Sequence, residues 1–228
     1  MTDKYLKTLI DKLNKNKTDG LIHLRPLTEF VDFAKVWREK PKPTDDIVFP
    51  DGPDDFYFIK NQEKEYVATV MDMSSTNLHW FVVNRYRGKG YLTNALRKTI
   101  LPHLLQNRKE QKITIDRNQI GDTNFKSSEK VALSIGFIQT KDAEYKLKTN
   151  DYKTKENNRG RNTEITEERI NELKRQISYL SRSLWLIQSE IEMKIGDEKY
   201  AKELRLLIDK LKKHTWKLED AWWKNKTK

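Results

Sequence analysis

The stretch Leu78-His79-Trp80-Phe81-Val82-Val83-Asn84-Arg85-Tyr86-Arg87-Gly88-Lys89-Gly90-Tyr91-Leu92-Thr93-Asn94-Ala95-Leu96 decides how the rest of the chain is read. Its opening residues, apolar apart from His79, predict a strand over Leu78 to Val83. Leu92, Ala95, Leu96, Ile100 and Leu104 recur on one helical face and predict a helix from about Tyr91 to Gln106. Between the two lie glycines at alternate positions. Glycine reaches backbone conformations closed to other residues and lets a ligand approach the main chain closely. The first amides of a helix have no partners within it and point outward with the positive end of its dipole, which makes a site for phosphate oxygens. Arg87 and Lys89 add positive charge there. A dinucleotide fingerprint would need a third glycine where Thr93 stands, and a Walker loop needs a Gly-Lys-Ser or Gly-Lys-Thr that the chain lacks.

Working outward, Asp55 to Ile59 and Tyr66 to Met73 are further predicted strands. The connections through Lys60–Glu65 and Ser74–Asn77 are short enough for antiparallel hairpins. Upstream, Leu6, Ile10 and Leu13 predict an amphipathic helix over residues 3–16, Leu21 to Leu27 a short strand, and Phe30 to Arg38 a helix. Pro41, Pro43, Pro50 and Pro53 make residues 41–54 a loop. Downstream, Lys112 to Asp116 reads as a strand, Glu129 to Ser134 as a helix stopped by Gly136, and Phe137–Gln139 and Tyr145–Leu147 as brief closing strands. The order describes an α/β domain with a mixed, mostly antiparallel sheet flanked by helices.

From Thr149 to Thr163 the residues are almost all polar, which reads as a linker. Beyond it, Ile170, Leu173, Ile177, Leu180, Leu184, Ile187 and Ile191 step by three and four, predicting a coiled-coil seam. Gly196-Asp197 breaks that helix, and a second one carries Leu204, Leu207, Ile208, Leu211 and Leu218 before Trp222 and Trp223. The expected organisation is an N-terminal helix over 1–19, an α/β domain over 20–148, a linker over 149–163 and an antiparallel helical hairpin over 164–226. Two helices alone bury too little to stand by themselves. With four of six tryptophans, the hairpin is expected to form a homodimer or to dock a protein partner.

Arg87-Gly88-Lys89-Gly90-Tyr91 resembles the first five positions of motif A, Arg/Gln-x-x-Gly-x-Gly/Ala, of the GNAT family of acyl-CoA-dependent N-acyltransferases. Leu92 stands where that family usually has Gly or Ala. The wording Gly-Tyr-x-Thr-x-Ala-Leu is nearest to the branch that acetylates ribosomal-protein N-termini. Ser128 through Gly136-Phe137 resembles motif B, one strand and one helix downstream as the family requires. The resemblance extends over roughly residues 20–148. It implies that acetyl-CoA is a co-substrate, with Phe81, Val82 and Val83 along its pantetheine arm and Arg87, Gly88, Lys89, Gly90, Tyr91 and Leu92 at its diphosphate. The family's cofactor-contacting motif B asparagine aligns with Phe125, and Asn124 is its neighbour. The acceptor implied is an amine of a small molecule or protein.

Acetyl transfer to an amine needs a group to take the amine's proton and one to protonate the departing thiolate. The family's motif B tyrosine aligns with Ala132, so Ser128 is the candidate acid, and His79 and Asp72 on the central strands are candidate bases. That gap keeps a second reading open, a degenerate domain that binds CoA or protein partners as a scaffold.

Composition narrows the classes. The chain has no cysteine, so disulfides and thiolate metal sites are excluded, and its four histidines show no metal-ligand spacing. The net charge of +11 divides as +6 up to Asn150 and +5 after it, with no basic arm, which leaves a nucleic-acid substrate possible but not favoured. Apolar runs fall short of a membrane span and the start does not read as a signal peptide, so a cytoplasmic protein without a membrane partner is expected.

Overall fold

The computed structural model describes residues 2–42, 52–74, 76–148, 165–195 and 198–226. The chain divides into two compact units, Met1–Asn162 and Thr163–Lys228. The expected linker over 149–163, most of the 41–54 loop and the Gly196-Asp197 break lie outside the described residues.

In the first unit, α1 (Asp3–Asn14) is capped by the Thr2 hydroxyl, which accepts from the Tyr5 amide, and buries Leu6, Leu9, Ile10 and Leu13. Strands β1 (Ile22–Pro26), β2 (Val31–Val36), β3 (Asp54–Lys60), β4 (Tyr66–Asp72) and β5 (Leu78–Val82) follow, and they pair antiparallel in sequence order. The helix expected over Phe30 to Arg38 is therefore a strand. Phe30, Val31, Phe33, Ala34, Val36 and Trp37 satisfy a helical and a strand period equally, and two antiparallel neighbours decide between them. Asp32, buried within it, accepts a hydrogen bond from Tyr66 Oη at 2.6 Å and forms an ion pair with Lys60 Nζ at 2.9 Å.

The sheet separates two cores. Leu6, Ile10, Phe56, Phe58, Met71 and Phe81 fill the face under α1. Tyr57, Val70, Leu78 and Val67 meet the helix that follows the glycine turn on the other. That helix starts as α2 (Tyr91–Ala95), widens into a π turn at Leu96–Ile100 and ends as α3 (Leu101–Leu104). Pro102 cannot donate to a preceding carbonyl, and the wider turn immediately before it accommodates the loss.

Strands β6 (Glu110–Thr114), β7 (Ile138–Lys141) and β8 (Glu144–Lys148) form a separate antiparallel sheet in the order β6-β8-β7. The β6 strand ends two residues sooner than expected because Asp116 caps α4 (Arg117–Ser134), accepting from the Asn118 amide. Helix α4 is broken at Gly121, whose backbone is non-helical (φ 76°, ψ 160°), so a short turn precedes the helix proper, which starts after Gly121 and still ahead of the expected Glu129. Its first half is solvated and carries no apolar stripe, so periodicity had nothing to register there. The two sheets approach at one place, where Asn77 Oδ1 accepts from the Thr114 amide at 3.0 Å and Gln111 Nε2 donates to the Ser74 carbonyl at 3.0 Å.

The second unit is an antiparallel pair, α5 (Glu167–Lys194) and α6 (Glu198–Lys226). Three contacts set its register: Lys174 Nζ to Glu219 at 2.6 Å, the Arg205 guanidinium over the Trp185 ring, and Trp222 Nε1 to the Ile165 carbonyl at 3.0 Å. Of the seven residues expected in the seam, five are at least partly buried, Leu173 among them, and two are not. Ile170 is buried, and Ile177, Leu184 and Ile191 are partly buried, but Leu180 and Ile187 stand 52% and 49% exposed, while Ser181 and Gln188 take the inner line at 5% and 2%. Among the described residues no helix is long and apolar enough to cross a membrane.

Candidate functional site

The site is built where β5 ends. The Val83 amide bonds the Val67 carbonyl at 3.0 Å, and in an antiparallel ladder alternate residues then turn their backbone groups to the partner. Val83, Phe81 and His79 are thus committed to β4, whereas Trp80 and Val82 present N–H and C=O groups at the open edge. The expected trio Phe81, Val82 and Val83 is accordingly split, and Trp80 joins Val82 on the edge side. A period-two argument from one known bond would have found it.

After Val83 a 3-10 turn, Asn84–Tyr86, leads into the glycines. Gly88 and Gly90 both have positive φ, 73° and 79°, where a side chain is strained. Steric room is not the reason for glycine: a Cβ on Gly88 would meet nothing within 4 Å, and one on Gly90 only Asn94 Nδ2 at 3.5 Å. Gly90 is the N-cap and no side chain caps the helix, whose first internal bond runs from the Asn94 amide to the Gly90 carbonyl. The amides ahead of Asn94 have no acceptor within the helix. Leu92, the departure from motif A, is 7% exposed and packs into the core with Ala95 and Leu96, away from the turn.

The turn's side chains hold it in place. Arg87 Nε donates to the Val82 carbonyl and Arg87 Nη1 to Asn124 Oδ1, both at 3.2 Å, so the turn is tied to β5 and to α4. Asn124 is thereby brought to the site. Phe125 lies against the core with the Arg117 guanidinium over its ring. Tyr91 Oη donates to Gln62 Oε1, and Tyr86 Oη donates to Glu65, which raises the phenol's pKa and lowers the carboxyl's. Arg85 and Lys89 sit over the Tyr86 ring. A 260 Å³ depression lined by Lys7, Asn14, Val83, Arg85 and Tyr86 flanks the turn on the α1 side.

The three candidate proton-moving groups do not converge. Trp80 Nε1 donates to Ser128 Oγ at 3.4 Å, which puts Ser128 against the edge strand. His79 faces the other side of the sheet, toward α1, with Nε2 3.5 Å from Asp3 Oδ1. Asp72 pairs with Leu78 in register and is buried beneath a two-point hydrogen bond from Arg108, which also donates to Gln111 Oε1 at 2.8 Å.

Beside that ion pair lies a group that sequence reasoning missed, Tyr57 and His103, with Tyr57 Oη 2.8 Å from His103 Nδ1. Burial raises the Tyr57 pKa. Burial, then Arg25 and Arg108, lowers that of His103. Both shifts favour the neutral form, and Phe33 packs against the two rings. Nothing in the local pattern couples residues 46 positions apart.

No protein-family model, curated protein or solved structure matches this chain.

Proposed function

We propose that the chain is an acyltransferase that moves an acetyl group from acetyl-CoA to an amine by direct attack on the thioester. The observation that carries this reading is the turn: two left-handed glycines lead into a helix without a side-chain cap, directly beyond a strand whose far edge is open. The diphosphate would accept from the amides around Gly88 to Leu92, where the dipole and Lys89 favour its charge. The pantetheine amides would bond the Trp80 backbone and the Val82 N–H as a further strand would, the Val82 carbonyl accepting from Arg87 Nε. Separation of the two sheets beyond the Asn77–Thr114 contact supports the same reading, because the GNAT resemblance implies a cofactor seated between splayed strands.

In the reaction the amine nitrogen, arriving as free base, bonds to the thioester carbon. The tetrahedral oxyanion collapses with cleavage of C–S, the thiolate takes up a proton, and the new amide nitrogen loses one. An amine of a small molecule or a protein fits this chemistry. Ser128 meets the edge strand through Trp80, whereas His79, within that strand, faces α1 on the other side of the sheet.

A second reading, a CoA-binding scaffold without turnover, is favoured by one observation. His79 and Asp72 lie on opposite faces of the sheet, and Asp72 is engaged by Arg108. Calorimetric titration with acetyl-CoA, followed by an intact-mass assay on peptide, polyamine and tRNA acceptors, separates the two. Binding with an acetyl mass shift supports the enzyme, and binding without one supports the scaffold. Absence of binding overturns both.

A further inference from the structure

The hairpin leaves half of its own apolar stripe unused. With Ile170 and Leu204 as position a of a heptad, the inner lines of both helices are a and e. These are Ile170, Ile177, Leu184 and Ile191 with Ser181 and Gln188 on α5, and Leu204, Leu211, Ala201 and Ile208 on α6. Position d, apolar along α5 and occupied by Tyr200, Leu207 and His214 on α6, points sideways: Leu180 and Ile187 on α5 and Tyr200 and Leu207 on α6 are about half exposed, beside the partly buried Leu173. Two antiparallel helices using the same inner positions are related by a two-fold axis normal to their common plane, so equivalent positions face the same side. Position b bears this out, since Trp185 and Arg205 both occupy it and stack. Both d lines therefore share one face. Meanwhile Ser181 Oγ is buried with no hydrogen-bond partner, so the inner seam by itself is a poor core.

Charge identifies what covers this face. Position g borders it, and the register contacts place its residues along the hairpin. Glu190 and Glu203 lie toward the interhelical connection, Arg169 and Lys217 toward the open end, and Lys210 near mid-length, with the uncharged Gln176 and Ser183 between the charged ends of α5. A second hairpin laid face to face in the same direction would set acid on acid and base on base. Laid in the opposite direction, it sets Glu190 against Arg169 and Glu203 against Lys217, twice over by symmetry. In that arrangement Leu180 and Leu207, near mid-length, lie close to the two-fold axis, as does Lys210, whose approach to its own copy is outweighed by the four acid–base pairs toward the ends. The exposed Glu190–Lys194 and Arg169–Glu172 pairs within α5 are weak competitors. The extent also fits: helices of 28 and 29 residues side by side present roughly 40 by 20 Å, about 800 Å² per copy, the size of a standard stable interface.

We propose that a second copy of this chain packs antiparallel on the Leu180–Ile187–Leu207 face, making a four-helix dimer through the hairpin. The full-length chain is tested by light scattering at micromolar concentration, with circular dichroism confirming the fold of each variant. Wild type is expected at twice the 27.2 kDa of one chain. Leu180→Glu with Leu207→Glu is expected at one chain mass, whereas Leu186→Glu, on the outer face at 74% exposure, stays dimeric. Glu190→Lys with Glu203→Lys and, separately, Arg169→Glu with Lys217→Glu should each dissociate, and an equimolar mixture of the two should recover the dimer mass. A monomeric wild type overturns the proposal, including the case in which this face is covered within one chain. So do a dimer that survives the Leu180/Leu207 change, one lost on Leu186→Glu, and a mixture that fails to associate.

Discussion

Replacement of Gly90 distinguishes its backbone role from its proposed ligand role. Alanine at φ 79° adopts a conformation that costs an L-residue about 1–2 kcal/mol. Its Cβ meets only the mobile end of Asn94 at 3.5 Å, so no clash adds to that cost. Urea unfolding of Gly90→Ala should therefore show a loss of about 1–2 kcal/mol with an unchanged slope. Gly90→Asp bears the same backbone cost and places a carboxylate at the uncapped amides. For a phosphate charge about 5 Å away, Coulomb repulsion at an effective dielectric between bulk water and a protein surface is roughly 1–3 kcal/mol. Acetyl-CoA affinity measured by calorimetry should then fall by about five-fold to more than a hundred-fold relative to Gly90→Ala, and the gap should narrow as salt is raised. Equal affinities for the two variants, with both folded, would refute the placement of the diphosphate at this turn.

Three further outcomes follow from the packing. Asp72→Asn removes the carboxylate that holds the Arg108 guanidinium by a two-point hydrogen bond at a largely buried position and should cost about 2–4 kcal/mol in chemical denaturation; unchanged stability with lost turnover would instead make Asp72 a base. Leu96→Ala, at a fully buried position under the sheet, should cost about 2–5 kcal/mol by the same measure, and a loss under about 1 kcal/mol would mean that the helix is not docked there. Burial, then the hydrogen bond to Glu129, pushes the Tyr145 pKa up to about 12 from about 10 when unfolded, so the protonated phenol favours the folded state. That contribution is complete below about pH 10 and is lost as pH rises toward about 12. Tyr145→Phe should flatten the alkaline decline in unfolding free energy, and parallel curves for the two proteins would contradict this.

Local pattern alone is sufficient for several elements. α1, β3, β4, β5 and the glycine turn were all legible because each carries its instruction within a few residues: a 3.6 period, a run of β-branched and aromatic residues, or a backbone angle only glycine takes readily. The proposed diphosphate site belongs to this group, since a strand, a turn and a helix start are contiguous in the chain.

Other features depend on neighbours distant in sequence, and there the sequence left two answers open. Phe30 to Arg38 suits a helix or a strand, and hydrogen bonding to β1 and β3 selects the strand. The backbone pairing of β5 with β4 selects Trp80 and Val82 as edge residues and sends His79 to the face opposite Ser128. Asp72 meets Arg108, and Tyr57 meets His103, through folding that no short-range pattern encodes. In the hairpin the heptads established that two helices would pair, while side-chain packing decided that positions a and e face inward and left position d outside. The residue pattern determined which surfaces are apolar and which backbone turns are possible. The tertiary structure decided which of those surfaces are covered and which polar groups meet, because burial and hydrogen bonding are properties of pairs brought together only by the whole chain.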